Sequence, residues 1–277
     1  MRLTTKIVAG IILSIFVISI AFIISLSFTD WKKHSYSNYT VNNVELPQDN
    51  ITGIELASFK TIIINEVPYD SQGRKFQVIS NSNIYFDPLP EKDNPDMLFV
   101  PESIKEYAAI NTSADTLTIM LDINGLVDRY KPDNSNRNNI LGINLRFSVS
   151  NIDIINQMQD LTINLKNIEI DNMMINSHGD ILIDSCKAQL LIPFIHNSYK
   201  SFHMTNSIVK RVNLDMDQMP NWRAENCKIE EENMTGSGTF TTTRDRKEAG
   251  NINWIPKNKD AELNIKIQGD TAQIIIR

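Results

Sequence analysis

Only two cysteines, Cys186 and Cys227, and four histidines occur in this 277-residue sequence, and its lysines and arginines form no cluster. Neither cysteine lies near the end of the amino-terminal apolar run, which excludes a lipoprotein-type anchor. The net charge of −6, without a basic footprint, argues against a nucleic-acid partner. HExxH, P-loop, GxGxxG, GxSxG and CxxC patterns are all missing, so no common catalytic, cofactor or metal-binding signature is present. No cofactor, metal site or enzymatic activity is expected. Amphipathic helices are scarce too: beyond the apolar run, SIKEYAAI, residues 103–110, is the one modest candidate.

The longest feature present is IVAGIILSIFVISIAFIISLSF, residues 7–28, which carries no charge over 22 positions. At ~1.5 Å per helical residue it is long enough for roughly 30 Å of hydrocarbon. Arg2 and Lys6 precede it, and Trp31, Lys32 and Lys33 follow, as at a retained membrane segment. A cleaved signal peptide, with Ser25-Leu26-Ser27 as a weak processing site, is the rival reading. The expected plan is a cytoplasmic tail (1–6), a single transmembrane helix in the lipid bilayer (7–28), a polar tether (29–50) and an extracytoplasmic domain (51–277). That domain would face the periplasm or the cell surface.

From residue 51 onward the pattern is period two. FKTIIINEV, TLTIMLDI, INLRFSVS, LTINLKNIEI and LNIKI alternate apolar with polar residues, which predicts strands with one buried face. A longer period of about 20 residues overlies this alternation. Ile143-Asn144-Leu145-Arg146 recurs as Ile163-Asn164-Leu165-Lys166, then Ile183-Asp184-Ser185-Cys186, Met204-Thr205-Asn206-Ser207 and Ala224-Glu225-Asn226-Cys227. A further apolar column reads Leu141, Leu161, Ile181, Phe202 and Trp222. Repeats that cannot bury their own apolar face do so by stacking. The expected fold is therefore all-β: a right-handed parallel β-helix with coils of about 20 residues, the third inward column (Leu145, Leu165, Ser185, Asn206, Asn226) forming a corner ladder. An antiparallel β-sandwich with evenly spaced strands is the alternative. In the stacked register Cys186 and Cys227 share one column, two strand spacings or about 9–10 Å apart. A disulfide needs Cα atoms within ~7 Å, so two free thiols are expected.

Several stretches resemble the bacterial auto-transporter adhesin head, or GIN, domain family. IELASFKTIIINE (54–66) is similar to that family's opening strand, and SHGDILID (177–184) to its recurrent turn-and-strand unit. Thr235-Gly236-Ser237-Gly238-Thr239 resembles another such turn, and IQGDTAQIIIR its closing strand pair. The resemblance implies a membrane signal followed by a repetitive β-domain of adhesin-like character, and carries over no catalytic residue. His178 stands where Gly or Ser is usual, and the turns are rich in Asn rather than Gly.

The remaining candidates are few. Asp215 and Asp217 alternate with Leu214 and Met216 and so share a face. Paired acids ~5–9 Å apart do glycosidic acid–base work, whereas two solvated acids on a strand are the plainer reading. Trp254 in NINWIP is a surface candidate for stacking on sugars, and His203 projects outward beside Leu182 and Arg223. Trp254, Asp215, Asp217 and His203 are thus the candidate binding residues. The leading expectation is a membrane-anchored, non-enzymatic binding, adhesion-like or scaffold protein with a glycan or envelope protein as partner. A polysaccharide lyase or hydrolase and an envelope lipid-transfer module are the alternatives.

Overall fold

Alternation in the sequence becomes alternation in burial: along Thr162–Lys166, half-buried residues alternate with Ile163 and Leu165, which are buried. The computed structural model describes residues 41–43, 46, 50–67, 77–80, 82–91, 94–130, 138–157, 160–219, 221–244, 249–267 and 273–276. The chain divides into units 1–41 and 42–277, and the following concerns the second.

Two large sheets hold most of its strands. The first has eight, in the spatial order Trp222–Glu225, Phe202–Thr205, Ile181–Asp184, Thr162–Lys166, Asn83–Pro88, Asn144–Val149, Met97–Pro101 and Ile51–Glu55. The second has nine: Ala249–Pro256, Lys228–Gly236, Ile208–Asp215, Lys187–Ile195, Glu169–Ser177, Ile154–Gln157, Thr61–Val67, Thr116–Asp122 and Ala108–Ser113. Their inner faces share one core, in which Phe86 stacks on Phe147 at 4.9 Å and Phe202 on Trp222 at 5.8 Å. Both sheets are mixed. Met97–Pro101 runs antiparallel to its two neighbours and Ala108–Ser113 antiparallel to Thr116–Asp122, while strands from residue 154 to 256 pair in parallel.

This corrects the expected fold. A right-handed parallel β-helix running from 51 to 277 is not the architecture; two facing mixed sheets make a β-sandwich, though not a purely antiparallel one. The register shows why the regular period misled. Ile181, Phe202 and Trp222 do lie side by side, but Ile181 pairs with Ile163, not Leu161, a slip of two residues. Asn83–Pro88 then inserts between Thr162–Lys166 and Asn144–Val149, so the columns drawn through residues 141–166 are interrupted. Of the expected helix at 103–110, only Glu102–Lys105 is helical, and Ala108–Ser113 is a strand; Ile123–Tyr130 forms a second helix. The closing strands Glu262–Ile267 and Gln273–Ile276 pair antiparallel as expected.

The membrane expectation is also corrected. Among the described residues no helix is long and apolar enough to cross a membrane, so the single-pass placement has no support in the structure. The segment 7–28, on which that expectation rested, lies outside the described residues.

Two-residue corners join the sheets. Asn167, Ser185, Asn206 and Asn226 have φ of 56°, 56°, 51° and 54°, and each is followed by a buried residue: Ile168, Cys186, Ser207 or Cys227. Asn tolerates this left-handed conformation better than most residues because its side chain bonds locally. Of the supposed inward ladder, Leu145 and Leu165 are buried, but Ser185, Asn206 and Asn226 are exposed corners. Cys186 N–H donates to Ser207 Oγ at 3.0 Å, and both cysteines are buried and unbridged. Burial pushes the Cys186 thiol above its ordinary value, despite backbone hydrogen bonds that act the other way.

The carboxy-terminal end of the core carries an ion pair. Glu232 occupies an inner column of the second sheet beside Val212 and Ile252 and is fully buried. Arg244, from Thr239–Arg244, meets its carboxylate at 2.6 Å, and its guanidinium carbon lies 4.0 Å from the centroid of the Trp222 ring. Burial raises the Glu232 carboxyl, with Arg244 opposing.

Two measurements check this packing. Intact mass should be that of two free thiols, and both should react slowly with a thiol reagent until the protein is denatured; a Cys186–Cys227 bond would contradict the register. Arg244→Met should destabilise by about 3–5 kcal/mol in denaturant melts by stranding Glu232. Glu232→Leu in the same chain should restore most of that loss.

Candidate binding face

Outward residues of the first sheet line up across its strands. In register they run Arg146, Tyr85, Asn164, Leu182, His203 and Arg223. The Arg146 guanidinium carbon stands 5.7 Å from the Tyr85 ring centroid, and its Nε lies 3.3 Å from Asp87. Arg223 is paired with Glu225 at 2.5 Å, on the same strand. Leu182 is 37% exposed.

A groove of about 430 Å³ opens on this face, lined by Tyr85, Asp87, Arg146, Asn164, Lys166, Leu182, Asp184 and His203. That volume lies in the lower part of the roughly 300–1,000 Å³ range of small-ligand sites. One Asp184 oxygen accepts 2.9 Å hydrogen bonds from Asn206 Nδ2 and Thr205 Oγ1, which hold the carboxyl below the usual carboxylate range. The Asn164 amide nitrogen turns back to the carbonyls of Ile84 and Thr162, at 3.4 and 3.5 Å. A larger concavity, about 580 Å³, lies on the second sheet at the stacked bulges Asp171, Gln189, Lys210 and Glu230. Its walls include the Glu169–Lys187 ion pair, whose charges satisfy each other.

The four sequence candidates do not converge. His203 is exposed and lines the first-sheet groove. Asp215 and Asp217 sit at the end of a second-sheet strand, where Lys257 Nζ approaches both carboxylates at 2.7–2.8 Å. Ser237 adds N–H and O–H donors to Asp217, each at 2.9 Å. Trp254 lies on the edge strand of the second sheet, half-buried, edge-on to Phe240 at 6.1 Å, with its indole nitrogen enclosed. Sequence reading missed Tyr85, Arg146 and Asn164. Tyr85 comes from a strand outside the regular period, whereas Arg146 and Asn164 belong to the period but were aligned with Lys166 and Asp184 instead of with Tyr85 and Leu182. Among the described residues no group of three or more His, Cys, Asp or Glu is arranged to hold a metal.

The acids beside Lys257 set a pH dependence. Partial burial resists ionisation of Asp217, but Lys257 and Ser237 outweigh it and hold the carboxyl below its ordinary value. A depressed folded value contributes stability above the unfolded value, about 3.9, that is lost as pH falls through the folded one. Carbon-detected NMR titration should place the Asp217 midpoint below about 3.9. Lys257→Met should move it upward and weaken the loss of thermal stability on acidification.

No family model matches the chain, and no curated protein matches it. Solved structures that align with the chain include a "putative adhesin" from Bacteroides fragilis, 13% identical over 79% of this chain and 93% of that one, with a TM-score of 0.47. A "putative lipid binding protein" from Parabacteroides distasonis is 12% identical over 83% of this chain and 98% of its own, with a TM-score of 0.37. A "putative adhesin" from Parabacteroides merdae is 10% identical over 83% and 98%, with a TM-score of 0.35.

Proposed function

We propose that this protein is a non-enzymatic, adhesion-like binding module whose ligand lies across the outer face of the first sheet. The observation that carries the reading is the register of Arg146, Tyr85, Asn164, Leu182, His203 and Arg223. Six strands contribute one outward residue each, giving a file of cationic, flat and short side chains about 24 Å long at ~4.8 Å per strand. Such a file suits an extended ligand crossing the strands, a glycan chain before a folded protein, because groove and rim offer polar donors and acceptors of both signs. The resemblance of residues 54–66, 177–184 and 235–239 to the adhesin head family supports the same reading.

The rival functions ask for features of other kinds. Glycosidic catalysis needs an acid and a base free to exchange protons, and the Asp215–Asp217 pair is engaged by Lys257 and Ser237. Lipid transfer needs an apolar channel, and the space between the sheets is filled by Phe86, Phe147, Phe202 and other buried side chains.

The test is direct. Full-length protein is applied to arrays of glycans, surface polymers and bacterial envelope proteins, and should be retained by at least one glycan class. The double variant Arg146→Glu/Arg223→Glu should lose retention at least tenfold with its circular dichroism unchanged, whereas Lys210→Glu on the second sheet should keep it. Absence of retention on every array, or equal loss in both variants, would reject the reading.

A further inference from the structure

Resting on the reading just given, a narrower inference concerns the one short residue in the outward file. Tyr85 and Leu182 are both cross-strand partners of Asn164, one on each side. Their strands are therefore two spacings apart, about 9–10 Å. Between the flat Tyr85 side chain, backed by Arg146, and the aliphatic Leu182, backed by His203, the short Asn164 leaves a slot in the groove. A ring in van der Waals contact with both walls needs roughly 3.5–4 Å on each side. The slot is one ring wide.

The polar groups decide which ring. The Asn164 amide nitrogen is committed to backbone carbonyls, which leaves its carbonyl oxygen, without a partner among the described residues, as the acceptor at the floor. Lys166 stands at the rim as an exposed ammonium, while Asp87 and Asp184 add carboxylates. An aromatic side chain would fill the slot but leave the Asn164 carbonyl oxygen desolvated and without a donor. A pyranose has C–H faces for Tyr85 and Leu182 and a rim of hydroxyls that both donate and accept. We infer that the gap above Asn164 is a subsite for a single pyranose ring of a glycan, gripped between Tyr85 and Leu182 and hydrogen-bonded by Asn164, Lys166 and Asp184.

Saturation-transfer NMR on the full-length protein tests this with methyl β-D-glucopyranoside, methyl β-D-galactopyranoside and methyl N-acetyl-β-D-glucosaminide as probes and 4-methylphenol as an aromatic side-chain mimic. At least one glycoside should receive saturation. Asn164→Leu, which fills the slot, and Tyr85→Ala, which removes a wall, should each lower that signal at least fivefold with the melting temperature retained. Asn164→Ala, which leaves the slot open, should reduce it less than Asn164→Leu. Saturation of 4-methylphenol without any glycoside would overturn the subsite in favour of an aromatic side chain, and a signal insensitive to Asn164→Leu would overturn it as well. If array retention is abolished by Arg146→Glu/Arg223→Glu but untouched by Asn164→Leu, the subsite fails while the binding face stands. If nothing is retained or saturated, both fall.

Discussion

The corner at Asn167, Ser185, Asn206 and Asn226 is the constraint on which the rest depends. One residue held at φ of 51–56° turns the chain out of the first sheet, and the next side chain drops into the core. Backbone hydrogen bonds join successive corners: Asn167 N–H donates to the Asp184 carbonyl, Ser185 N–H to that of Thr205, and Asn206 N–H to that of Glu225. With the corners aligned, the strand residue two places earlier has no choice of neighbour. A slip of one would send Ile183 and Met204 outward and bring Asp184 and Thr205 into the core. Four consecutive repeats share one register because each turn is fixed at a single residue.

The same constraint shapes the outside. Positions that alternate with the buried columns project to solvent in straight files, and the profile of a file is set by side-chain length alone. Where neighbours are long, as at Arg146 and Tyr85, they lean on one another; where one is short, as at Asn164, a gap opens. Binding capacity on such a face needs no dedicated loop. It arises from the order of long and short residues at outward positions, so it can change without disturbing the core. The bulges at Asp171, Gln189, Lys210 and Glu230 act likewise on the second sheet, where a repeated irregularity makes a concavity of its own.

Much of this order was legible from residue 181 onward. The pairing of Ile181 with Phe202 and Trp222, the shared corner of the two cysteines and the outward His203 beside Leu182 and Arg223 all follow from a period that is regular there. Upstream, a spacing of 18 rather than 20 separates Ile163 from its partner Ile181, and local alternation cannot reveal that two residues are missing from the connection. Nor can it show that Asn83–Pro88, from about 80 residues earlier, completes the sheet, since period-two patterns fix a face but not a neighbour. The corner residues were assigned inward because Leu165 was aligned with Ser185; in the structure Asn167 fills that role, and the Asn-rich character of the turns was the signal. Trp254 and the Asp215–Asp217 pair drew notice by residue type, but their surroundings (Phe240 for one, Lys257 for the other) come from segments no periodicity connects to them.

A stack built from identical corners has no internal reason to stop, and a parallel sheet left open at its last strand would invite further pairing. The first sheet ends at Trp222–Glu225, where Thr239–Arg244 crosses over and begins a separate three-stranded sheet. Arg244 then joins the two layers, its guanidinium bound to Glu232 of the second sheet and lying over Trp222 of the first. An aliphatic pair of similar volume would pack the same space without desolvating two charges, so the ion pair is a costly way to gain stability. What it adds is direction. Glu232 interrupts the apolar column of Val212 at one point, and only a chain that delivers a cation there satisfies it, which selects this crossing over another strand added at the open edge.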